Sequence, residues 1–398
     1  MIRRAAGLMM ALALWLGAAG GCAEGVTLRT ASCFAGPDAS ALAYTHLLAQ
    51  WEEKTGNRVE DVSAESGEAW KTGVLMDFAA GNEPDVLFFF TCTADSAYLT
   101  DRVVPVWQIN ERYPALNIPE DPACAEADGV VYAVPVRSYW EGIFCNTDLF
   151  DRCHLELPTD LEKLEEAVRG FRLAGITPLS VSLSDVPHYL VEFAILASGT
   201  AEEYKARPAD IAQVPDSWVE GMALIRRLYL MGAFPDDVSA TSESRTSQMF
   251  RRKEAAMQVD GSWFANSLSR EAMDTTVVLP FPTQGEKTVV GGVSMGFYLT
   301  KRAWNDPERR DAAADLLAFL STGENARALG GYQFSGRLKE SVTALTALPA
   351  CGPIQDQMTQ EARSEWFRLA AETAAGKLTP EAMWEKVMAL SPFSVRGK

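Results

Sequence analysis

Asp85-Val86-Leu87-Phe88-Phe89-Phe90 places five consecutive apolar side chains behind a single acid. A strand wet on one side alternates apolar and polar residues, so a short unbroken run suits a strand buried on both faces, as in a parallel sheet. Something must then pack above and below it, which is the α/β arrangement. Neighbouring segments supply the helices. Glu68 to Ala80 carries Trp70, Val74 and Phe78 at i, i+4 and i+8, an apolar stripe that makes Trp70 a core residue, and Gly81-Asn82-Glu83-Pro84 ends it. Val26 to Thr30 and Arg58 to Val62 read as strands around a helix from Ser40 to Lys54.

The alternation continues down the chain. Val130 to Val136, Gly142 to Asn146, Leu179 to Leu183, Ala256 to Val259, Thr276 to Leu279 and Val293 to Leu299 read as strands. Thr159-Asp160-Leu161-Glu162 reads as a capping box opening a helix with Leu161, Leu164, Val168 and Phe171 inward. Trp218, Met222, Ile225 and Tyr229 mark another helix face. Asp306-Pro307 and Thr379-Pro380 each set an N-cap before a proline, the second opening a helix whose inward face is Met383, Trp384, Val387 and Met388. Single cores stop growing near ~250–300 residues, so 398 residues imply two α/β lobes joined by short crossings.

The first residues are an address. Arg3 and Arg4 precede an apolar stretch from Leu8 to Leu16, then small residues from Gly17 to Gly21, then Cys22. That is the order of a secretory signal peptide over residues 1–21, too short to span a membrane. Ala19-Gly20-Gly21-Cys22 resembles the lipobox of bacterial lipoproteins, in which the cysteine is lipidated; ordinary cleavage after Ala23 is the rival reading. The remaining six cysteines, Cys33, Cys92, Cys124, Cys145, Cys153 and Cys351, permit disulfides in an exported chain, but a chain of this size can equally keep them as buried thiols.

Charge and motifs exclude several functions. With 53 acidic against 36 basic residues the formal charge is −17, which disfavours nucleic acid and anionic lipid surfaces as partners. Gly292-Val293-Ser294-Met295-Gly296 fits the G-x-S-x-G nucleophile elbow, yet His46, His154 and His188 all precede it, and Phe297 to Thr300 reads as strand where a helix is required. There is no C-x-x-C, no H-E-x-x-H and no phosphate-cradling glycine loop. Cys153-His154 beside Cys145 lacks a fourth metal ligand. The reading is a non-enzyme with no catalytic residues, no metal and no cofactor.

Four segments together resemble the extracellular solute-binding proteins of bacterial ABC importers, carbohydrate-binding type, the family 1 proteins that include maltose-binding protein. Phe78-Ala79-Ala80-Gly81-Asn82-Glu83-Pro84-Asp85-Val86 is similar to that family's F-x-x-G-x-x-P-D-V. Asp128-Gly129-Val130-Val131-Tyr132-Ala133-Val134-Pro135, then Phe144-Cys145-Asn146-Thr147-Asp148-Leu149-Phe150, is similar to D-G-K-x-Y-G-V-P followed by aromatic-N-x-D-L-F, with Cys145 where tyrosine is usual. Phe250 to Met257 running into Asp260-Gly261-Ser262-Trp263 is the third. Gly291-Gly292, the strand after it and the Asp306–Leu320 helix closed by Ser321-Thr322-Gly323-Glu324-Asn325 are the fourth.

The resemblance implies a periplasmic-binding-protein-like fold with a hinge and an interlobe ligand cleft. It assigns residues 26–134 plus 281–330 to the first lobe and 136–280 plus 335–398 to the second, with crossings near Pro135, Phe281-Pro282 and Tyr332-Gln333. It implies a lipoprotein on the outer face of the bacterial cytoplasmic membrane, touching the membrane through its lipid only, monomeric, delivering a mono- or oligosaccharide to ABC permease subunits. A receptor for a charged solute, polyamine or phosphorylated, is the alternative; an exported carbohydrate-active enzyme and a sensor subunit are further ones.

Sugar hydroxyls need fixed donors and acceptors, and the C–H faces of the ring need flat apolar platforms. Trp263 follows Asp260 at a strand-to-helix turn that faces the cleft in relatives. Tyr139, Trp140 and Glu141 follow the first crossing. Thr93 and Asp95 lie beyond the end of the buried strand, and Phe34 beyond the first strand, where open α/β sheets bind ligands. These eight are the expected ligand contacts.

Overall fold

Nine strands form among the described residues, which are 25–283, 285–330 and 334–393 of the computed structural model: β1 (Thr27–Ala31), β2 (Arg58–Asp61), β3 (Val86–Phe90), β4 (Ala133–Asn146), β5 (Thr177–Ser180), β6 (Ala255–Gly261), β7 (Thr276–Leu279), β8 (Val289–Leu299) and β9 (Ala350–Cys351). Cys22 and its preceding segment, and the crossing expected at Tyr332-Gln333, lie outside the described residues.

Hydrogen bonding links the strands in the order β2-β1-β3-β8-β4-β6-β5, with β7 on β4 and β9 on β8. The apolar run is β3, and Val86 to Phe89 are buried. Its neighbours correct one detail. β1 is parallel to β3, but β8 is antiparallel to it, so burial on both faces here belongs to a mixed sheet. The segments expected as two strands, Val130–Val136 and Gly142–Asn146, are one 14-residue strand. Pro135 and the polar pair Arg137-Ser138 break its apolar pattern, and register shifts between Pro135 and Ser138 accommodate the proline, which contributes no N–H. The first half of β4 pairs with β8 and the second half with β6 and β7.

This long strand therefore runs from one hydrophobic core into another. Leu28, Trp51, Phe88, Val134, Phe297 and Leu317 belong to the first core; Ile143, Phe171, Phe193, Trp218, Met257 and Trp384 belong to the second. The molecule is accordingly two-lobed. Most local expectations hold: helices span Ala41–Thr55, Glu68–Ala80, Leu161–Leu173, Pro307–Ser321 and Pro380–Met388. The Asp306 and Thr379 side chains accept from the backbone N–H of Glu308 and Ala382. The capping box expected at Thr159 does not form. Asp160 is the cap, one residue later, its carboxylate accepting from the Lys163 N–H at 2.9 Å. Ser294 sits inside β8, on extended backbone and not on an elbow.

All six cysteines of the described residues are free thiols. Burial pushes the Cys33, Cys124 and Cys351 thiols up to about 12, so they behave as small apolar side chains. His154 closes the helix Thr147–Cys153 in the left-handed conformation, so the Cys153-His154 pair is a helix end.

Candidate functional site

Side chains alternate along β4, so Tyr139 and Glu141 leave one face of the strand while Trp140 leaves the other. Trp140 packs 5.7 Å from Phe144 and 5.8 Å from Phe334 in an apolar cluster of its own. Glu141 is paired across the sheet with Gly261 of β6, and directly opposed residues share a face. The Trp263 indole, carried on the short helix Ser262–Asn266, lies back over that rung, so close that a Cβ on Gly261 would run into the ring. The Tyr139 ring is nearly parallel to the indole at 6.4 Å between centroids. Tyr189, from the helix Pro187–Ser198, stands 5.5 Å from it. Three aromatic rings and a carboxyl group thus converge where Gly261 leaves room. Gly261→Ala should displace the indole from Tyr139 while leaving the unfolding temperature within a few degrees, which near-ultraviolet circular dichroism and a melt of the same sample would check.

Among the described residues the carboxyl groups beside the rings stand chiefly among other acids. Glu141 and Glu192 are 2% and 0% exposed, and the Oε2 of each has no hydrogen-bond partner among the described residues. Glu192 Oε1 accepts a long bond, 3.4 Å, from the N–H of Gln355, next to Asp356. Burial, then repulsion from Glu192, Asp356 and Asp260, pushes the Glu141 carboxyl well above the usual range. Burial and Asp356 do the same to Glu192. Asp260 is also raised, by burial and then by Glu243, although its carboxylate accepts from the Gly261 N–H at 2.7 Å and from the Gln258 side chain.

Asp356 is raised from 3.8 to about 6 by burial, against the pull of Lys71 and Arg363. A folded pKa above the unfolded one adds stability that is complete below pH ~4 and disappears as pH rises through about 6. Asp356→Asn should therefore gain on the parent protein between pH 4 and 7, by on the order of 1–3 kcal/mol. Parallel melts across that range would show the gain; two parallel curves would refute it.

Beside this cluster the lobes touch through charge. Arg363, 2% exposed on the helix Gln360–Ala374, donates at 3.1 Å to Asp95 and at 3.1 Å to Glu68. Lys71 pairs with the same Glu68 at 2.5 Å and lies 3.8 Å from Asp95. Gln357 donates to the Cys92 carbonyl at 2.7 Å and Gln360 to the Thr72 hydroxyl at 3.1 Å. His188 faces this seam, and burial, reinforced by Lys71 and Arg363, pushes its pKa down to about 3, keeping the imidazole neutral.

The structure brings Tyr139, Glu141, Asp260 and Trp263 together and sets Asp95 in the adjoining ion-pair network. Thr93 caps the four-residue helix Ala94–Ala97, accepting from the Ser96 N–H. Phe34 is buried in the first core, 4.5 Å from Phe88 and 4.8 Å from Tyr44. The Arg137 guanidinium lies 4.5 Å from the centre of its ring and donates twice, at 2.7 Å, to Asp38. Sequence reading missed Tyr189, Glu192, Asp356, Lys71 and Arg363. Glu192 had a signal, as the one acid in an otherwise apolar helix. Lys71 and Arg363 had one as well, each standing three residues before a buried aliphatic or aromatic side chain, Val74 and Trp366, on the inward face of its helix. Among the described residues no group of three or more His, Cys, Asp or Glu could hold a metal ion, and no helix is long and apolar enough to cross a membrane.

A model of the family described as bacterial extracellular solute-binding protein matches residues 38–327. No curated protein matches the sequence. Solved structures do match the fold. A chitin oligosaccharide binding protein superposes with a TM-score of 0.78 at 18% identity, covering 92% of this chain and 98% of the other. Maltose-bound MalE3 of T. maritima gives 0.71 at 16% identity, covering 92% and 99%. RafE in complex with raffinose gives 0.70 at 16% identity, covering 92% and 98%.

Proposed function

We propose, since the chain belongs to the bacterial extracellular solute-binding protein family, that it captures a carbohydrate between its two lobes and delivers it to the permease of an ABC importer, with no chemistry of its own. The observation that carries this reading is the group of rings from Tyr139, Tyr189 and Trp263 standing beside Glu141 and Glu192, whose Oε2 atoms have no partner among the described residues. Flat rings suit the apolar faces of a sugar, and buried acceptors without protein donors suit its hydroxyls. The proteins of like fold that bind chitin oligosaccharide, maltose and raffinose support the same ligand class.

In this reading residues 26–134 plus 281–330 form one lobe and 136–280 plus 335–398 the other. The crossings lie near Pro135 and Phe281-Pro282, and the contacts of Arg363, Gln357 and Gln360 form the seam that closes over the ligand. Cleavage before Cys22 and lipidation of its thiol tether the monomer to the outer face of the membrane. Loss of Arg3 and Arg4 with the leader moves the formal charge from −17 to −19. Detergent phase partitioning tests the anchor, because Cys22→Ala should move the exported protein into the aqueous phase.

Ligand binding is tested by thermal unfolding of residues 23–398 against mono- and oligosaccharides, polyamines and sugar phosphates. A ligand at ~100 times its dissociation constant adds about 2.7 kcal/mol, a shift of a few degrees. A saccharide that stabilises and is recovered unchanged supports the receptor; one that is consumed makes the protein an enzyme. Silence across the sugars with a response to a charged solute refutes the carbohydrate assignment.

A further inference from the structure

The carboxyl groups of the site outnumber what a neutral sugar requires. Resting on the carbohydrate reading, we infer that the saccharide bound here carries a free, protonated amine, which is seated between Glu141 and Glu192 beside the Tyr139, Tyr189 and Trp263 rings.

Three independent features point to an ammonium group. The first is the orphaned oxygens: the Oε2 atoms of Glu141 and Glu192 are buried, are acceptors when ionised, and receive no hydrogen bond from the described residues. The second is where the nearby cations are spent. Lys71 and Arg363 are already paired with Glu68 and Asp95. The charges acting most strongly on Glu141 are all negative, from Glu192, Asp356 and Asp260, and Glu192 faces Asp356 with Arg207 as its counterweight. Arg207 itself is an exposed side chain donating to the carbonyls of Lys205 and Ala206. The third is the rings, since aromatic faces attract a desolvated ammonium through their quadrupoles as well as a sugar through its C–H bonds.

A hydroxyl can satisfy an acceptor but leaves the repulsion among the acids in place. An ammonium supplies up to three donors together with the missing positive charge. Its binding also favours the ionised carboxylates, so uptake of the cation releases protons from the site. The acidic molecule as a whole attracts cations from solution.

The test is calorimetric titration of the mature protein at pH 7.0 with saccharides matched in ring and length: fully deacetylated chitotetraose, its N-acetylated form and cellotetraose. The free amine is expected to bind at least ~30-fold more tightly than either neutral partner, a difference of about 2 kcal/mol. Its advantage should shrink at pH 5, where protons compete more strongly with the amine for the carboxylates. Comparing buffers of different ionisation enthalpy should show release of roughly one proton per amine bound. Glu192→Gln should narrow the amine-to-acetyl ratio; if that variant fails to fold, proton release by the parent protein still decides. Equal or tighter binding of a neutral tetrasaccharide overturns the inference and leaves the carbohydrate reading standing. Binding of spermidine with all three saccharides silent overturns both.

Discussion

Trp384→Ala should cost about 4–6 kcal/mol of folding free energy, a large share of the total stability of a typical domain. The side chain is fully buried, its ring centroid 4.9 Å from that of Trp218 and 5.7 Å from that of Trp366, and its indole N–H donates to the Trp218 carbonyl at 3.0 Å. Truncating a buried tryptophan typically removes about 3–5 kcal/mol, because the two rigid rings beside it cannot close around the space left behind. Losing the indole hydrogen bond adds about 1 kcal/mol more. Urea unfolding measures the loss directly. Trp107, half exposed on the other lobe, is the control, and Trp107→Ala should stay within ~0.5 kcal/mol of the parent. A loss below ~2 kcal/mol for Trp384→Ala would mean that the C-terminal helix is a loose appendage to the second core.

That helix shows what a local pattern can reveal. Thr379-Pro380 announces its start, and the spacing of Met383, Trp384, Val387 and Met388 announces its buried face, because capping and periodicity are properties of a few adjacent residues. The same holds for β3 and for the turn that carries Trp263. The unity of β4 was not legible: Pro135 looks like a strand terminator, and only pairing with β8, more than 150 residues downstream, shows the register shifting around it. Thr93 and Phe34 stand near strand ends as expected, yet what their side chains touch depends on neighbours the local pattern does not encode. The network at the seam was invisible for the same reason. Spacing within the helix Gln360–Ala374 sets Arg363 on the face of Trp366 and Ala370, unlike the half-exposed Arg368, which pairs with Glu365 and Glu372 of its own helix, but it does not name Asp95 and Glu68 as partners.

Arg363→Met should have the second-largest effect, expressed in lobe closure more than in unfolding. The guanidinium is buried and satisfies Asp95 and Glu68 of the opposite lobe. Removing one member of a buried pair leaves the other uncompensated, at about 3–5 kcal/mol. Glu68 is exposed and loses little; Asp95 is buried and, among the described residues, retains Lys71 at 3.8 Å as its one ion-pair partner. The two lobes each keep their own core, so the cheaper response is for the seam to part and let water reach Asp95. Affinity then falls by the fraction of molecules still able to close, roughly 100-fold if about 3 kcal/mol of closure energy is lost. Small-angle scattering of the unliganded variant should show a larger radius of gyration than the parent, with the melting temperature changing less than in Trp384→Ala. Adding Asp95→Asn should restore part of the affinity, because the residue left behind no longer carries a charge. Unchanged affinity and radius for Arg363→Met would mean that Gln357 and Gln360 hold the seam without it, and that the ion pairs only fill space between the lobes.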